Sequence, residues 1–232
     1  MATFVLVHGA LHGAWCWRRV ARMLTGSGHD VFAPTLTGLC ARSHLLTPAI
    51  DLDIHILDVV NEMKWQALNN VVLVGHSYGG MVISGAAEKM EKAIASFVFL
   101  DAFFPDNGQA LIDMWPAAMR EPLLAAARDG ATTVPPRSAA AFNVNDKDRA
   151  WVDAQCTPQP IQCFLQKLTL TGARERIAKK SYIRAVGFPN PYFDAGLAKA
   201  RAQGWRSYEA PCGHDVMLDM PERLTEILQE AA

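Results

Sequence analysis

Val71-Val72-Leu73-Val74-Gly75-His76-Ser77-Tyr78-Gly79-Gly80 decides the fold. Its first four residues, Val71 to Val74, are a short all-apolar run, the kind that sits in the middle of a parallel sheet with both faces covered. Gly75 to Gly79 matches G-x-S-x-G, and a glycine-containing helix follows from Met81 to about Met90, so Ser77 falls at a sharp strand-to-helix turn. A serine there takes a strained backbone conformation, and the residues two places to either side must be nearly free of side chain. Gly75 and Gly79 meet that need. The turn lifts Ser77 clear of the carboxyl edge of the sheet as a candidate nucleophile. The N-terminus of the next helix points at it, and the unpaired amides there favour negative charge.

Outward from this turn, apolar runs alternate with stretches of helical spacing, the pattern of a parallel sheet with helices on both faces. Strands are expected at Thr3 to Val7, Asp30 to Ala33, Ser96 to Leu100, Ser181 to Val186 and Trp205 to Glu209. Helices are expected near Trp15 to Leu24, over Asp51 to Leu68 and from about Phe193 to Gln203. In the second of these Leu52, Ile56, Val59, Val60 and Met63 make one stripe. Between Phe103 and about Thr171 the strand signal disappears and Pro, Ala, Met and Trp dominate. The expectation is one domain over residues 1–232 with a helical cap inserted at about 104–172. Asp219-Met220-Pro221-Glu222 reads as the start of a last helix, with Asp219 as N-cap and Glu222 as its reciprocal partner.

The chain has 232 residues, half of them apolar, enough for one substantial core. Its net charge is −1 with the basic residues dispersed, which argues against nucleic acid or an anionic membrane as partner. No apolar stretch approaches the roughly 20 residues that span a bilayer, and the N-terminus lacks the features of a signal peptide. Five cysteines without regular spacing are most simply reduced thiols. The expectation is a soluble cytoplasmic protein, monomer or homodimer, acting on a small molecule without metal or cofactor.

A serine hydroxyl needs a neighbouring base, and histidine has a suitable pKa. Of seven histidines only His214 lies in a loop between the last strand and the last helix, where this architecture places the base. His8, His12 and His76 flank the site, whereas His29, His44 and His55 read as surface or packing residues. His8 and His12 lie in a Gly-rich loop rather than on a helix, which argues against a metal pair. An oxyanion hole needs two backbone N–H donors about 3 Å from the developing charge. Tyr78 supplies one, and Ala10, in the loop after the first strand, is favoured for the other.

Phe4 to Trp15, Gly75 to Gly80 and Gly213-His214-Asp215-Val216-Met217 together resemble the methylesterase and hydroxynitrile-lyase branch of the α/β-hydrolases, with its bacterial esterase relatives. The similarity runs the whole length. It implies the α/β-hydrolase fold and cofactor-free hydrolysis of small esters by Ser, His and Asp under a helical cap. Ser77 and His214 would fill the first two roles, with Ala10 and Tyr78 as oxyanion donors. The family's usual acid is missing, because Gly187-Phe188-Pro189-Asn190-Pro191 offers no carboxylate. Asp101 is the stronger replacement: it ends the strand beside that of the nucleophile, on the same edge, where some lipases and dehalogenases of the fold carry the acid. Asp194 reads better as a helix N-cap, and Asp215 adjoins His214 too closely to turn toward it.

The reading is a serine esterase for a small, neutral, partly apolar ester, with carbamates and aryl esters or amides also open to the same chemistry. Leu11, Trp115 and Phe142 are candidate substrate contacts, with Phe103, Phe104, Met114, Met119 and Trp151 nearby in the cap and mouth. Two other readings are a hydroxynitrile lyase and a catalytically weak small-molecule receptor on the same fold. In the plant-type lyases a threonine follows the first-strand histidine and a lysine the catalytic one. Here those positions hold Gly9 and Asp215, leaving no cation for departing cyanide.

Overall fold

The computed structural model describes residues 1–232. Its strands are β1 (Thr3–Val7), β2 (Asp30–Phe32), β3 (Val71–His76), β4 (Ile94–Leu100), β5 (Thr133–Val134), β6 (Gln159–Pro160), β7 (Lys179–Ala185) and β8 (Arg206–Ala210). Six of them form one sheet in the order β2-β1-β3-β4-β7-β8, with every neighbouring pair parallel. Along each strand the side chains alternate between two cores. Phe4, Leu6, Val72, Val74, Val98 and Leu100 enter one, while Val5, Val7, Val71, Leu73, Phe97 and Phe99 enter the other. Burial on both faces is why these strands read as unbroken apolar runs. Each large side chain so buried contributes about 1.5–3 kcal/mol.

The first core is closed by α1 (Arg18–Gly26) and by the last helix, and the second by α2 (Leu52–Trp65) and α3 (Gly79–Met90). The helix expected from Trp15 divides into a 3-10 turn, Ala14–Trp17, and α1. Outside the main sheet, between β4 and β7, lie α4 (Ala117–Arg128), α5 (Asp146–Gln155), α6 (Gln162–Leu165) and α7 (Ala173–Arg176). This segment is not wholly helical, because β5 and β6 pair antiparallel within it. Two-residue strands, one containing Pro160 and both flanked by Pro135, Pro136 or Pro158, are too short to show a period in the sequence.

Two expected caps are replaced. α8 (Pro191–Ala202) starts after Asn190, whose side chain accepts from Tyr192 N–H at 3.0 Å. Pro191 fixes the first turn, so Asp194 lies inside the helix instead of capping it. Asp219 ends α9 (Val216–Asp219) and does not cap α10 (Pro221–Ala231), which has no side-chain cap. Its carboxylate accepts instead from Gly213 N–H, in the turn before α9, at 3.1 Å and from the side chain of Asn145, the N-cap of α5, at 2.7 Å.

The chain reverses its direction of travel across the sheet between β1 and β3, since β2 lies outside β1 and the later strands follow on the other side. Crevices for ligands open at the carboxyl edge of such a point. Ser77 follows β3 there, with the loop after β1 on one side and the end of β4 on the other.

Gly80, in the first turn of α3, permits this crowding. A Cβ on it would lie 2.2 Å from the carbonyl oxygen of Phe103. Helix propensity alone favours Gly→Ala by about 1 kcal/mol, but here the clash with backbone dominates. Gly80→Ala is expected to lower stability by about 1–3 kcal/mol in urea titration; a variant as stable as wild type or more so contradicts the packing described.

Candidate active site

Ser77 adopts φ +53°, in the left-handed region that a Cβ disfavours. The surrounding backbone holds it there: its N–H donates to Leu100 O at 3.2 Å, and its C=O accepts from Gly80 N–H at 3.0 Å and Phe103 N–H at 3.1 Å. A Cβ on Gly75 would come within 2.6 Å of Gly79 O, and one on Gly79 within 2.9 Å of Val7 O. The two glycines of the motif thus make way for each other and for β1.

Asp101, also left-handed at φ +41°, is fully buried at the end of β4. His214 Nδ1–H donates to its Oδ2 at 2.6 Å. Its Oδ1 accepts from Ala185 N–H at 3.0 Å and from Arg184 Nη1 at 2.9 Å. Asp194 is largely exposed and reaches Arg184 Nε at 2.8 Å, and Asp215 turns away to His12. Of the three acids weighed from the sequence, the structure brings Asp101 to His214. The imidazole is held on its faces by Phe193, stacked at 5.1 Å and 10°, and Phe142, at 5.8 Å and 28°. Its backbone N–H donates to Phe142 O at 2.9 Å, so the segment above the sheet helps to fix the histidine loop.

Ser77 and His214 open into one cavity of about 530 Å³, in which 15 of 22 lining residues are hydrophobic. Ala10, Leu11, Tyr78, Trp115 and Phe142 all border it, as do Met119, Phe164 and Arg137. Leu11 N–H is taken by Gln159 Oε1 at 3.0 Å, whereas the N–H groups of Ala10 and Tyr78 meet no protein acceptor and are free for a ligand. The tyrosine side chain is anchored elsewhere: Tyr78 O–H donates to His55 Nδ1 at 2.9 Å, and His55 Nε2–H donates to Thr37 O at 2.9 Å. His55 therefore helps to seat the residue after Ser77 and is not an ordinary packing residue. Its signal was its place beside Leu52, Ile56 and Val59 on the buried stripe of α2. No group of three or more His, Cys, Asp or Glu side chains is arranged to hold a metal.

A parallel sheet with a strained serine at its switch point, and a histidine–aspartate pair beside it, defines the class. The sequence profile of the alpha/beta hydrolase family matches residues 4–227, and the chain belongs to that family. Within it the chain falls in the methylesterase-like branch. A carbendazim hydrolyzing esterase of Nocardioides sp. (strain SG-4G) is 41% identical over 98% of both chains. Methylesterase 1 of Arabidopsis thaliana is 42% identical over 45% of this chain and 40% of its own length. Among solved structures, an extracellular alpha/beta-hydrolase from a Paenibacillus species matches with a TM-score of 0.87 and 25% identity, over 100% of this chain and 99% of that one.

The other histidines around the site are sorted by burial and partner. His8 Nδ1–H donates to Gly9 O and its Nε2 accepts from Leu36 N–H, and burial lowers its pKa to about 3, so it is neutral. His76 is held well below its ordinary value by burial and by its neighbour His214. His12 differs: it donates from Nδ1 to Ala10 O at 2.8 Å and from Nε2 to Asp215 Oδ2 at 3.0 Å, which requires the doubly protonated ring. Burial opposes that charge, but Asp215 outweighs it and raises the pKa. For Asp215, burial is likewise outweighed by His12, and its carboxyl is held below the usual range.

This buried ion pair ties the loop after β1 to the histidine loop, and sequence reading missed it. Its stabilisation by His12 is complete below the ordinary histidine value of 6.5 and is lost as pH rises through the raised folded value. The share from Asp215 is complete above the ordinary 3.8 and is lost as pH falls through the lowered one. Asp215→Asn is therefore expected to cost about 3 kcal/mol near pH 5.5 and clearly less near pH 9. A loss of the same size at both, by urea titration, would show that the pair does not change its charge state between these pH values.

Proposed function

We propose that the chain is a serine esterase that works through an acyl-enzyme, a reading carried chiefly by the 2.6 Å bond between His214 and Asp101 beside the cavity of Ser77. In this mechanism Ser77 Oγ attacks the acyl carbon while His214 Nε2 takes its proton. Asp101 keeps Nδ1–H pointed away and stabilises the imidazolium. The N–H groups of Ala10 and Tyr78, free of protein acceptors, receive the oxyanion. The imidazolium protonates the leaving group, water then attacks the acyl-enzyme, and His214 again serves as base.

The substrate is small, neutral and partly apolar. The cavity has the volume of a typical ligand site, and Leu11, Trp115 and Phe142 are its proposed contacts. The names of the relatives, a carbendazim hydrolyzing esterase and a methylesterase, support carboxylic and carbamic esters as the class. Asp215, where the lyase reading requires a cation, is an anion engaged by His12. No helix is long and apolar enough to cross a membrane. The five free thiols support a cytoplasmic setting.

Turnover of p-nitrophenyl acetate and butyrate, followed by methyl esters and carbendazim, tests the proposal. Ser77→Ala and His214→Ala should each lower kcat by about 10⁴-fold or more, and Asp101→Asn by roughly 10³ to 10⁴. Equal turnover by wild type and folded Ser77→Ala refutes a serine nucleophile. Full activity in Asp101→Asn beside its loss in Asp194→Asn transfers the acid to Asp194.

A further inference from the structure

Arg184 is a charged side chain with only 2% of its surface exposed. A guanidinium is expensive to bury unless its donors are matched, so its partners disclose its purpose. Nη1 donates to Asp101 Oδ1 at 2.9 Å and also to Ala185 O. Nε donates to Asp194 Oδ1 at 2.8 Å, and Nη2 to the carbonyls of Phe188 at 2.9 Å and Asn190 at 3.4 Å. The parallel pairing of Leu100 with Ile183 sets the next residues, Asp101 and Arg184, at the same level of the sheet edge.

We propose that Arg184 is a positioning residue of the catalytic centre: its fork fixes the Asp101 carboxylate against His214, and its charge limits how strongly that carboxylate favours the imidazolium. The assignment rests on the reading of Asp101 as the acid of the triad. Arg184 Nη1 and Ala185 N–H together occupy Oδ1, so the carboxylate cannot rotate and Oδ2 alone is presented to Nδ1. This is the contribution that an acid at the end of β4 obtains from β7 when β7 brings no acid of its own.

The charge effect follows from what else faces the pair. Tyr182 of β7 is kept neutral by burial, and burial pushes the Cys212 thiol up to about 12. His76 is neutral, and Asp215 is offset by His12. Asp194, on α8, draws on Arg184 from the solvent side. Arg137, in the segment above the sheet, lies over Phe142 at 5.6 Å, and that ring in turn stacks on His214. Arg184 is the cation in contact with Asp101. Without it an uncompensated carboxylate would favour protonated His214, which is inactive as a base.

The test is the pH dependence of kcat and kcat/KM between pH 5 and 9 for wild type, Arg184→Gln, Arg184→Lys and Asp101→Asn, with p-nitrophenyl acetate and with folding checked by circular dichroism. Both Arg184 variants should lose about tenfold in kcat with KM changed by less than about threefold, because the fork is gone. The acid limb of kcat/KM should move up by about one pH unit in Arg184→Gln and stay in place in Arg184→Lys, which keeps the charge. A limb unmoved in folded Arg184→Gln overturns the proposal, as does a rise in KM alone. Should Arg184→Gln not fold, Arg184→Lys decides: wild-type kcat overturns the proposal, and a reduced kcat with an unmoved limb sustains it. Full activity in Asp101→Asn refutes the triad reading itself, whereas an impaired Asp101→Asn beside wild-type Arg184 variants refutes the role of Arg184 alone.

Discussion

The left-handed backbone at Ser77 is the constraint on which the rest of the site depends. A residue with a Cβ reaches φ +53° only where neighbouring atoms hold it, and here the hydrogen bonds that do so come from the end of β4. Ser77 N–H is taken by Leu100 O, and Phe103 N–H returns to Ser77 O. Those two bonds bracket Asp101, so the contacts that strain the serine also bend the chain at the carboxylate. The glycines at 75, 79 and 80 let the strands approach closely enough for this. Serine and acid thus occupy one sheet edge as consequences of a single packing arrangement.

Two buried carboxylates then divide the histidines. Asp215 engages His12 and Asp101 engages His214, and each histidine takes its character from that choice. His12 spends both ring nitrogens on fixed acceptors and is locked as a cation, while His214 spends only Nδ1 and leaves Nε2 toward the cavity. His76 lies between the two pairs, with ring centroids 4.4 Å from His214 and 6.4 Å from His12. A buried ion pair contributes little net stability; what the two carboxylates contribute is geometry, one seating the loop of Ala10 and the other the proposed base.

Much of this was legible in the sequence because it follows from local rules. The apolar run before Ser77, the paired glycines and the strand-to-helix order specify the turn. The place of Asp101 at the end of the neighbouring strand was enough to rank it above Asp194 and Asp215. The features that escaped depend on long-range pairing. Arg184 lies in Lys179-Lys180-Ser181-Tyr182-Ile183-Arg184, where nothing local separates it from the more accessible Lys179 and Lys180, and only the register with β4 puts it against Asp101. Neighbouring side chains diverge, which keeps Asp215 from His214 and sends it to His12. Asp219 looked like a cap by its spacing, but Gly213 and Asn145 supplied nearer donors.

The segment between β4 and β7 is bound to the histidine loop more closely than a lid needs to be. Phe142 accepts from His214 N–H through its carbonyl and stacks on the imidazole with its ring. A Cβ on Gly213 would lie 2.0 Å from Asn143 O, so the two backbones are in contact where the loop turns. Asp219 joins Gly213 to Asn145 across the same junction. Asn143 itself is left-handed, φ +55°, and its side chain donates to Gly187 O beyond β7. A shift of residues 139–145 that widened the cavity for a larger substrate would therefore pull on the backbone of His214. Cavity shape and the position of the proposed base are linked by main-chain contacts in this fold, so in the proposed mechanism a substitution that reshapes the mouth acts on the rate as well as on binding.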